Sequence, residues 1–471
     1  MDLPGPQDPN QELQERLNAE IAQREAAESM LARVQAAYTR FVPPQLLSML
    51  GKESILDVAW GNQVEAKMTI LFSDIRGFAS MSERMAPQQS FDFINAYLSF
   101  MEPAVVAEGG FVDKYIGDSV MALFPARGDD ALRAALGMLK ELKQFNAEWN
   151  ALLADLPHDR AEKQSAADVQ IGIGLNSGLL MLGVVGGFNR MEITVISDAV
   201  NLASRIESLT KVYQTPILIS QHTLNSIRHP ADFAIRFVDR VRVRGKHLAQ
   251  SIYEVFNADP PQILEGKLAT QDLFEDALAH YHFHRTQIAS TLFASCLEIN
   301  PGDTPAKVYW QRCGGLHPGE EHDSATESDL EAVWRPEYIL GMPFLDDAHV
   351  GIFSSILDLA HALLEETGDR AIGLIDTLIS QTEEHFLEEE RMMGAHAYTY
   401  TAHMEHSQQH RKFRDFLTTL EGEIRSGKIS SLRLAFRCQF LLLDWFISHI
   451  SITDRHLTRF LATVGAEGAP A

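Results

Sequence analysis

An α+β or α/β domain of roughly 190 residues, preceded by a helix and followed by an all-α four-helix bundle, is the architecture that three features of this 471-residue sequence predict. Between Met68 and Phe256, short apolar runs alternate with helical stretches. From residue 331 onward the pattern is helical in four segments, divided near 368, 394–400 and 427. Ahead of both, residues 11–50 place Leu13, Leu17, Ile21, Leu31, Val34, Tyr38 and Phe41 at an approximate three-and-four spacing, as a helix does.

The middle domain follows in order. "KMTILFSDI", "DKYIGDSVMALFP" and the glycine-interrupted "VQIGIGLNSGLLMLGVVG" read as strands. "SFDFINAYLSFMEPAVVAEG", "DDALRAALGMLKELKQFNAEWN" and "DAVNLASRIESLTK" read as helices, and polar residues 152–168 as a loop. Residues 266–313 carry the small/aromatic spacing and the "NPGDTPA" turn of one tetratricopeptide-like helical hairpin. Its "HYHFHR" sets histidines at i, i+2 and i+4, which do not all share one helix face, so it reads as solvated surface. Residues 314–330 read as an acidic linker. The expected divisions are thus 1–50, 51–260, 261–330 and 331–471.

Composition narrows the function. A hydrophobic fraction of 45% and a charged fraction of 22% fit a globular chain. The net charge of −24 argues against a nucleic-acid surface and requires local cations for any polyanionic substrate. No 18-residue uncharged apolar stretch predicts a membrane span, and the opening residues lack the pattern of an export signal. Three cysteines, none in a close pair, fit a reducing compartment, so a cytoplasmic location is expected.

Three fragments of the middle domain carry chemistry. "ILFSDIRGF" ends an apolar strand on Asp74, and "KYIGDSV" sets Asp118 in a tight turn beside Gly117. Two carboxylates at strand ends suit Mg²⁺ or Mn²⁺ and a nucleotide phosphate. Amides after Asp74 suit phosphate oxygens. "DAVNLASR" puts Asn201 and Arg205 on one helix face, where an amide and a guanidinium orient a ribose and stabilise charge on phosphorus.

With "FSDIRGF", "KYIGDSVMALF" and "DAVNLASR" in that order and spacing, residues 41–256 resemble a class III nucleotidyl cyclase catalytic domain. The resemblance implies a ferredoxin-like βαββαβ core in a head-to-tail homodimer. Each active site would take Asp74 and Asp118 from one chain, with two Mg²⁺ (or Mn²⁺), and its remaining residues from the other. Asn201 would align the ribose, and Arg205 would stabilise the transition state as pyrophosphate leaves. The base would be read by Lys114, a donor for adenine N1, and by Thr194, whose hydroxyl accepts from the adenine amino group. Animal membrane adenylyl cyclases carry aspartate at the latter position, so Thr194 is a departure; it resembles bacterial enzymes often stimulated by bicarbonate. Lys246 in "VRGKH" is a weaker match for a triphosphate contact. Because that domain is dimeric in the family, the N-terminal helix is expected to pair in a short parallel coiled coil rather than dock on its own domain.

Nine of the 18 histidines lie after position 340. His349 falls on the first predicted helix, His385 and Glu389 on the second, His406 and His410 on the third, and His449 and Asp454 on the fourth. Four helices that each bring ligands to a central point build a bundle metal site, and five imidazoles with two carboxylates suit two bridged irons. Zinc is an alternative for such a set. Residues 331–465 resemble bacterial hemerythrin domains, which implies that the five histidines are terminal iron ligands and that Glu389 and Asp454 bridge. The spacing of five between His449 and Asp454 turns an ideal helix by roughly 140°, so a π-turn is predicted there. His361 reads as core-facing or pocket-adjacent, and His403 as peripheral to the site or on the surface.

The expected function is an adenylate cyclase, a phosphorus–oxygen lyase making 3′,5′-cyclic AMP from ATP, regulated by a di-iron domain that senses O₂ or another small diatomic or redox ligand. Two alternatives remain: an oxygen- or iron-binding protein with the cyclase domain as dimerising scaffold, and a guanylate cyclase. The linker and helical hairpin, or pairing of the bundles in the dimer, are the expected routes for the signal.

Overall fold

The computed structural model describes residues 9–125, 127–154, 168–187, 190–242, 249–314, 333–396 and 398–467. Most of the expected 152–168 loop, the acidic linker and Lys246 lie outside these residues. The chain divides into two compact units, residues 1–65 with 181–196, and residues 66–180 with 197–471.

In the first unit, α1 (Pro9–Tyr38) and α2 (Pro44–Met49) precede the start of β1 (Gln63–Ile75). The end of β4 (Ile171–Gly187) pairs with β5 (Arg190–Ile196), from Met181 opposite Ile196 to Gly187 opposite Arg190. Of the apolar positions that predicted α1, Leu13, Leu17, Ile21, Leu31 and Val34 are exposed among the described residues.

In the second unit, β1 leads through the short α3 (Phe78–Ser82) and α4 (Pro87–Ala107) to the hairpin β2 (Phe111–Ile116) and β3 (Ser119–Phe124). Then come α5 (Gly128–Ala154), β4, α6 (Asp198–Tyr213), β6 (Ile217–Ser220), α7 (Gln221–Ser226), β7 (Ile235–Arg242) and β8 (Ala249–Val255). The sheet order is β2-β3-β1-β4-β6-β8-β7, with β5 branching from β4. Its first four members give the expected ferredoxin-like βαββαβ pattern. The β1–β3 register sets Thr69 opposite Phe124 and Ser73 opposite Val120, which carries Asp74 to the β2–β3 turn. Gly117 takes φ 65° in that turn, a conformation that costs other residues about 1 kcal/mol or more. The buried face packs Leu71, Phe124 and Leu175 against Phe93 and Tyr97 of α4, Phe145 of α5 and Ile206 of α6. Gly174 lets α6 seat closely, since a Cβ there would stand 2.1 Å from the backbone nitrogen of Glu207.

The expected hairpin is part of a run of four helices, α8 (Pro261–Ala269), α9 (Gln271–His282), α10 (Thr286–Ile299) and α11 (Thr304–Cys313). They are pinned to the sheet by a buried ionic network. Arg236 on β7 binds Glu254 of β8 and grips Asp303 with both terminal nitrogens, at 2.8 and 2.6 Å. Lys267 of α8 meets Glu254 and Asp259, each at 2.8 Å. Asp303 also caps α11 by accepting from the Ala306 amide. Asp303→Ala therefore strands a buried guanidinium and is expected to cost about 3–5 kcal/mol, read as a lower urea midpoint. Burial alone would raise the Glu254 carboxyl, but Arg236 and Lys267 hold it down at about 2, against 4.5 for the free group. Its contribution is present above pH 4.5 and is lost as pH falls toward 2. His282 departs from the solvated reading: it is buried, stacked on Phe436 and 4.9 Å from the ring of Phe440.

The C-terminal helices are α12 (Pro343–Leu364), α13 (Gly368–Ala395), α14 (Tyr400–Ser426) and a fourth helix over residues 431–467. Pro343 starts α12 at a position that needs no amide donor. Gly427 ends α14 in the left-handed conformation, φ 61°. The fourth helix carries π-helical turns at Arg437–Leu442 and His449–Asp454. Its core packs Ile352, Ile356, Leu378, Phe386, Phe413 and Phe446. The bundle does not hang from the linker alone. Asp444 of the fourth helix binds Arg240 of β7 at 2.9 Å and the hydroxyl of Ser251 on β8.

Two candidate metal centres

The first centre lies at the β1 end and the β2–β3 turn. Asp74 Oδ1 accepts from Ser119 Oγ at 2.7 Å, and Asp118 Oδ2 accepts from the Ile75 amide at 3.3 Å. Burial and the negative charge of Asp74 push the Asp118 carboxyl up to about 6. Burial would also raise Asp74, but Lys211 at 2.8 Å and Ser119 bring it below its usual value. Two carboxylates forced together, one of them paired with a lysine, form a hard-oxygen pair that suits divalent cations. Glu207, also beside Asp74 and buried, is pushed up to about 7.

Lys211 was not foreseen as part of this site, and it fixes how α6 lies. Its ammonium reaches Asp74 of its own chain. Arg205 and Asn201 precede it by six and ten residues, roughly 9 and 15 Å along the helix axis and on other faces. Both are exposed. Lys114 stands on β2 opposite Met121, its ammonium 3.5 Å from Asp113. Thr194 belongs to the other unit, on β5 opposite Gly183.

The second centre is in the bundle. His349, His385, Glu389, His406, His410, His449 and Asp454 are all buried, and the structure brings all seven together. Glu389 turns Oε1 toward His385 (3.7 Å) and Oε2 toward His406 (3.4 Å) and His410 (3.1 Å). Asp454 turns Oδ2 toward His349 (3.3 Å) and Oδ1 toward His406 (3.1 Å) and His449 (3.0 Å). Each carboxylate thus gives one oxygen to a half holding His349 and His385, and the other to a half holding His406, His410 and His449. The π-turn at His449–Asp454 is what brings these two side chains to one face.

Two residues that the sequence did not single out orient the rings. The Nδ1 of His449 lies 2.9 Å from Gln409 Oε1 and that of His410 lies 2.9 Å from Glu390 Oε1, so both donate and leave Nε2 aimed inward. Those Nε2 atoms, both nitrogens of His349, His385 and His406, and all four oxygens of Glu389 and Asp454 make no hydrogen bond. Buried polar atoms left open in this number and facing one another fit a pair of bridged cations. Burial would raise Glu389, and the facing histidines instead hold it far below its usual range. Burial lowers His449 to about 4. His361 is exposed rather than core-facing, and His403 is half-buried.

Fold and sites together describe a two-part protein, a mixed sheet with a carboxylate pair at one edge and a four-helix bundle with a buried histidine–carboxylate cluster. Comparison with known families assigns each part. Residues 62–256 match the adenylate and guanylate cyclase catalytic domain, and residues 340–461 match the hemerythrin HHE cation binding domain. The chain is a fusion of these two domains. It is 35% identical over 305 residues to the terminal-differentiation specific adenylate cyclase of Dictyostelium discoideum, covering 63% of this chain and 14% of that one. It is 42% identical over 227 residues to an adenylate cyclase of Anabaena cylindrica, covering 48% of this chain and 44% of that one. The chain therefore spans less than half the length of either relative. Among solved structures it is similar to a bacterial light-regulated adenylyl cyclase (24% identity, TM-score 0.42, 51% of this chain and 66% of that one). It is also similar to the adenylyl cyclase CyaB from P. aeruginosa (30% identity, TM-score 0.35, 41% and 95%). No helix among the described residues is long and apolar enough to cross a membrane.

Proposed function

We propose that this chain is an adenylate cyclase whose activity is set by the state of a di-iron centre in its C-terminal bundle. The observation that carries the reading is the apposed pair Asp74 and Asp118, in a chain that also holds Lys114, Asn201 and Arg205. Divalent magnesium or manganese at that pair would supply Lewis-acid activation of the ribose 3′-hydroxyl and offset the triphosphate charge. Lys114 donates to adenine N1 and Thr194 accepts from the exocyclic amine, which favours ATP over GTP. Asn201 aligns the ribose, and Arg205 donates to the oxygens that gain charge as pyrophosphate departs.

Because Asn201 and Arg205 stand away from Asp74 on the same helix as Lys211, they are offered to a second chain, and the active unit is a homodimer. The uncovered apolar stripe of α1 supports pairing of the N-terminal helices. In the bundle, the split of three and two histidines about shared carboxylates supports iron, which would supply reversible oxygen or redox chemistry.

The test is cyclic AMP formation by iron-loaded protein, prepared reduced and anaerobic, with half the sample then exposed to air while the iron absorption bands are followed. The reading expects the rate to change with the spectrum. A rate identical in both halves would remove oxygen sensing and leave an iron-occupancy role.

A further inference from the structure

We infer that α7 is the relay by which the metal-binding bundle positions the catalytic helix α6, with His222, Asn225, Ser220 and Asn176 as positioning residues. The inference rests on the regulated-cyclase reading above and names its route.

Five described bundle residues that grip α7 and the turn after it lie within four positions of a residue of the cluster. Ser448, next to His449, has its hydroxyl 2.5 Å from His222 Nδ1. Trp445 stacks on the His449 ring, centroids 5.0 Å apart at 17°, and its carbonyl accepts from Asn225 Nδ2 at 3.4 Å. From α14, Lys412, two residues past His410, donates to the carbonyls of Asn225 (3.1 Å) and Ile227. Gln408, two residues before His410, donates to the Arg228 carbonyl at 3.1 Å. Glu405, beside His406, binds the Arg228 guanidinium at 3.2 Å. α7 is thus held on one side by α14 and on the other by the fourth helix, the two helices that Gln409 and His449 join at the cluster.

From α7 the hydrogen bonds continue through buried side chains toward catalytic residues. Ser220, whose hydroxyl caps α7 by accepting from the Thr223 amide, donates to Asn176 Oδ1 at 2.6 Å. Asn176 Nδ2 donates to the Ala199 carbonyl at 2.9 Å, in the first turn of α6, two residues before Asn201 and six before Arg205. A second branch runs from Ser226 Oγ to Ser177 Oγ (3.1 Å) and on to Thr69 Oγ1 (2.7 Å), five residues before Asp74 on β1. Ser220 and Asn176 are fully buried, and Ser177 nearly so, so these groups have no water to turn to if one partner moves.

The seam also has room for movement. A cavity of ≈ 390 Å³ lies between β1, the end of α7 and α14, bounded by Lys67, Ser226, Glu405, His406 and Lys412. A small slide of α14 against the fourth helix is not blocked by packing there. Such a slide changes the separation of the two grips on α7 and so the height of the α6 first turn. Contacts of the bundle with α9, Arg433 to Asp276 (3.4 Å) and Arg437 to Glu275 (2.6 Å), lie on another surface and offer the rival route.

The test uses full-length protein carrying His222→Ala, Ser448→Ala or His222→Gln, with Glu275→Gln as the rival-route control. Two readouts are taken: the ratio of reduced to oxidised cyclase rates, and hydrogen exchange of residues 198–205 and 221–227 in iron-free and iron-loaded protein. A wild-type ratio of about fivefold is expected to fall to about one in His222→Ala and in Ser448→Ala, with iron absorption unchanged. His222→Gln, whose amide can hydrogen-bond Ser448 as donor or acceptor, is expected to keep part of it. Iron loading is expected to slow exchange in both segments of the wild type, but only in the bundle helices of the two alanine variants. Each alanine variant removes the same hydrogen bond from one side, so misfolding of one leaves the other to decide. Loss of the ratio in Glu275→Gln and its survival in His222→Ala would overturn the relay. A wild-type rate indifferent to oxidation would sink the sensor reading instead, and the exchange data alone would then decide the relay: slowing in residues 198–205 of both alanine variants overturns it.

Discussion

Asp118→Ala is expected to lower cyclic AMP formation by about 10³-fold while leaving the iron spectrum and the melting temperature of the bundle as in the wild type. The loss follows from the site's electrostatics. Asp118 is one of two carboxylates kept in contact although burial and mutual repulsion oppose it, and without it a cation has half a site. Retention of the iron spectrum is expected because none of the seven bundle residues shares a contact with Asp118. Rate and spectrum lost together would instead mean that the variant had not folded. Full turnover would mean that Asp118 does not hold a required cation, whereas a wild type without turnover would return the domain to a scaffold role. The same variant tests how sites are shared. Mixed with Arg205→Ala chains, it is expected to recover about a quarter of wild-type activity, because half the dimers are mixed and one of their two sites is whole. If both residues served one chain's own site, mixing would recover nothing.

The candidate ligand residues stood out because each carries its chemistry in local spacing. His385 and Glu389, like His406 and His410, sit one turn apart on a helix, while Asp74 lies at the end of a strand and Asp118 in the turn between two. The five-residue step from His449 to Asp454 was legible as a conflict with ideal geometry, and the π-turn is where the fold resolves it. What was not legible depends on pairs far apart in the chain. Gln409 orients His449 forty residues on, and Lys211 meets Asp74 across 137 residues. No local pattern marks either as more than a surface amide or a helix-end lysine. His282 was read as solvated because its neighbours alternate, yet Phe436 and Phe440 cover it from the bundle. For the same reason a direct seam between bundle and sheet was not expected. The pairs that make it, His222 with Ser448 and Arg240 with Asp444, are joined across about two hundred residues.

Glu389→Ala is expected to reduce bound iron from two per chain to about none, and to cost the bundle about 3–5 kcal/mol even in iron-free protein. Glu389 belongs to both groups of converging residues and, like Asp454, turns an oxygen to each half. Its removal opens both halves at once, whereas His349→Ala touches only one and is expected to leave about one iron. The stability cost has a separate origin. Three imidazoles lie within 3.7 Å of this carboxylate in a cluster with no exposed member; although burial opposes it, Asp454 and Glu389 push His406 up to about 9, and that imidazole loses one of its two carboxylates. Glu389→Gln separates the two effects, since the amide fills the same space and accepts a hydrogen bond but brings no charge. Iron quantification by absorption and metal analysis, together with thermal melts of loaded and iron-free protein, decides the matter. If Glu389→Ala retains both irons, the bridging role passes to Asp454 alone and the symmetric division of the cluster is wrong. If it loses iron while the cyclase rate becomes independent of air exposure, the same carboxylate that joins the two halves is also what makes the bundle's state known to the catalytic domain.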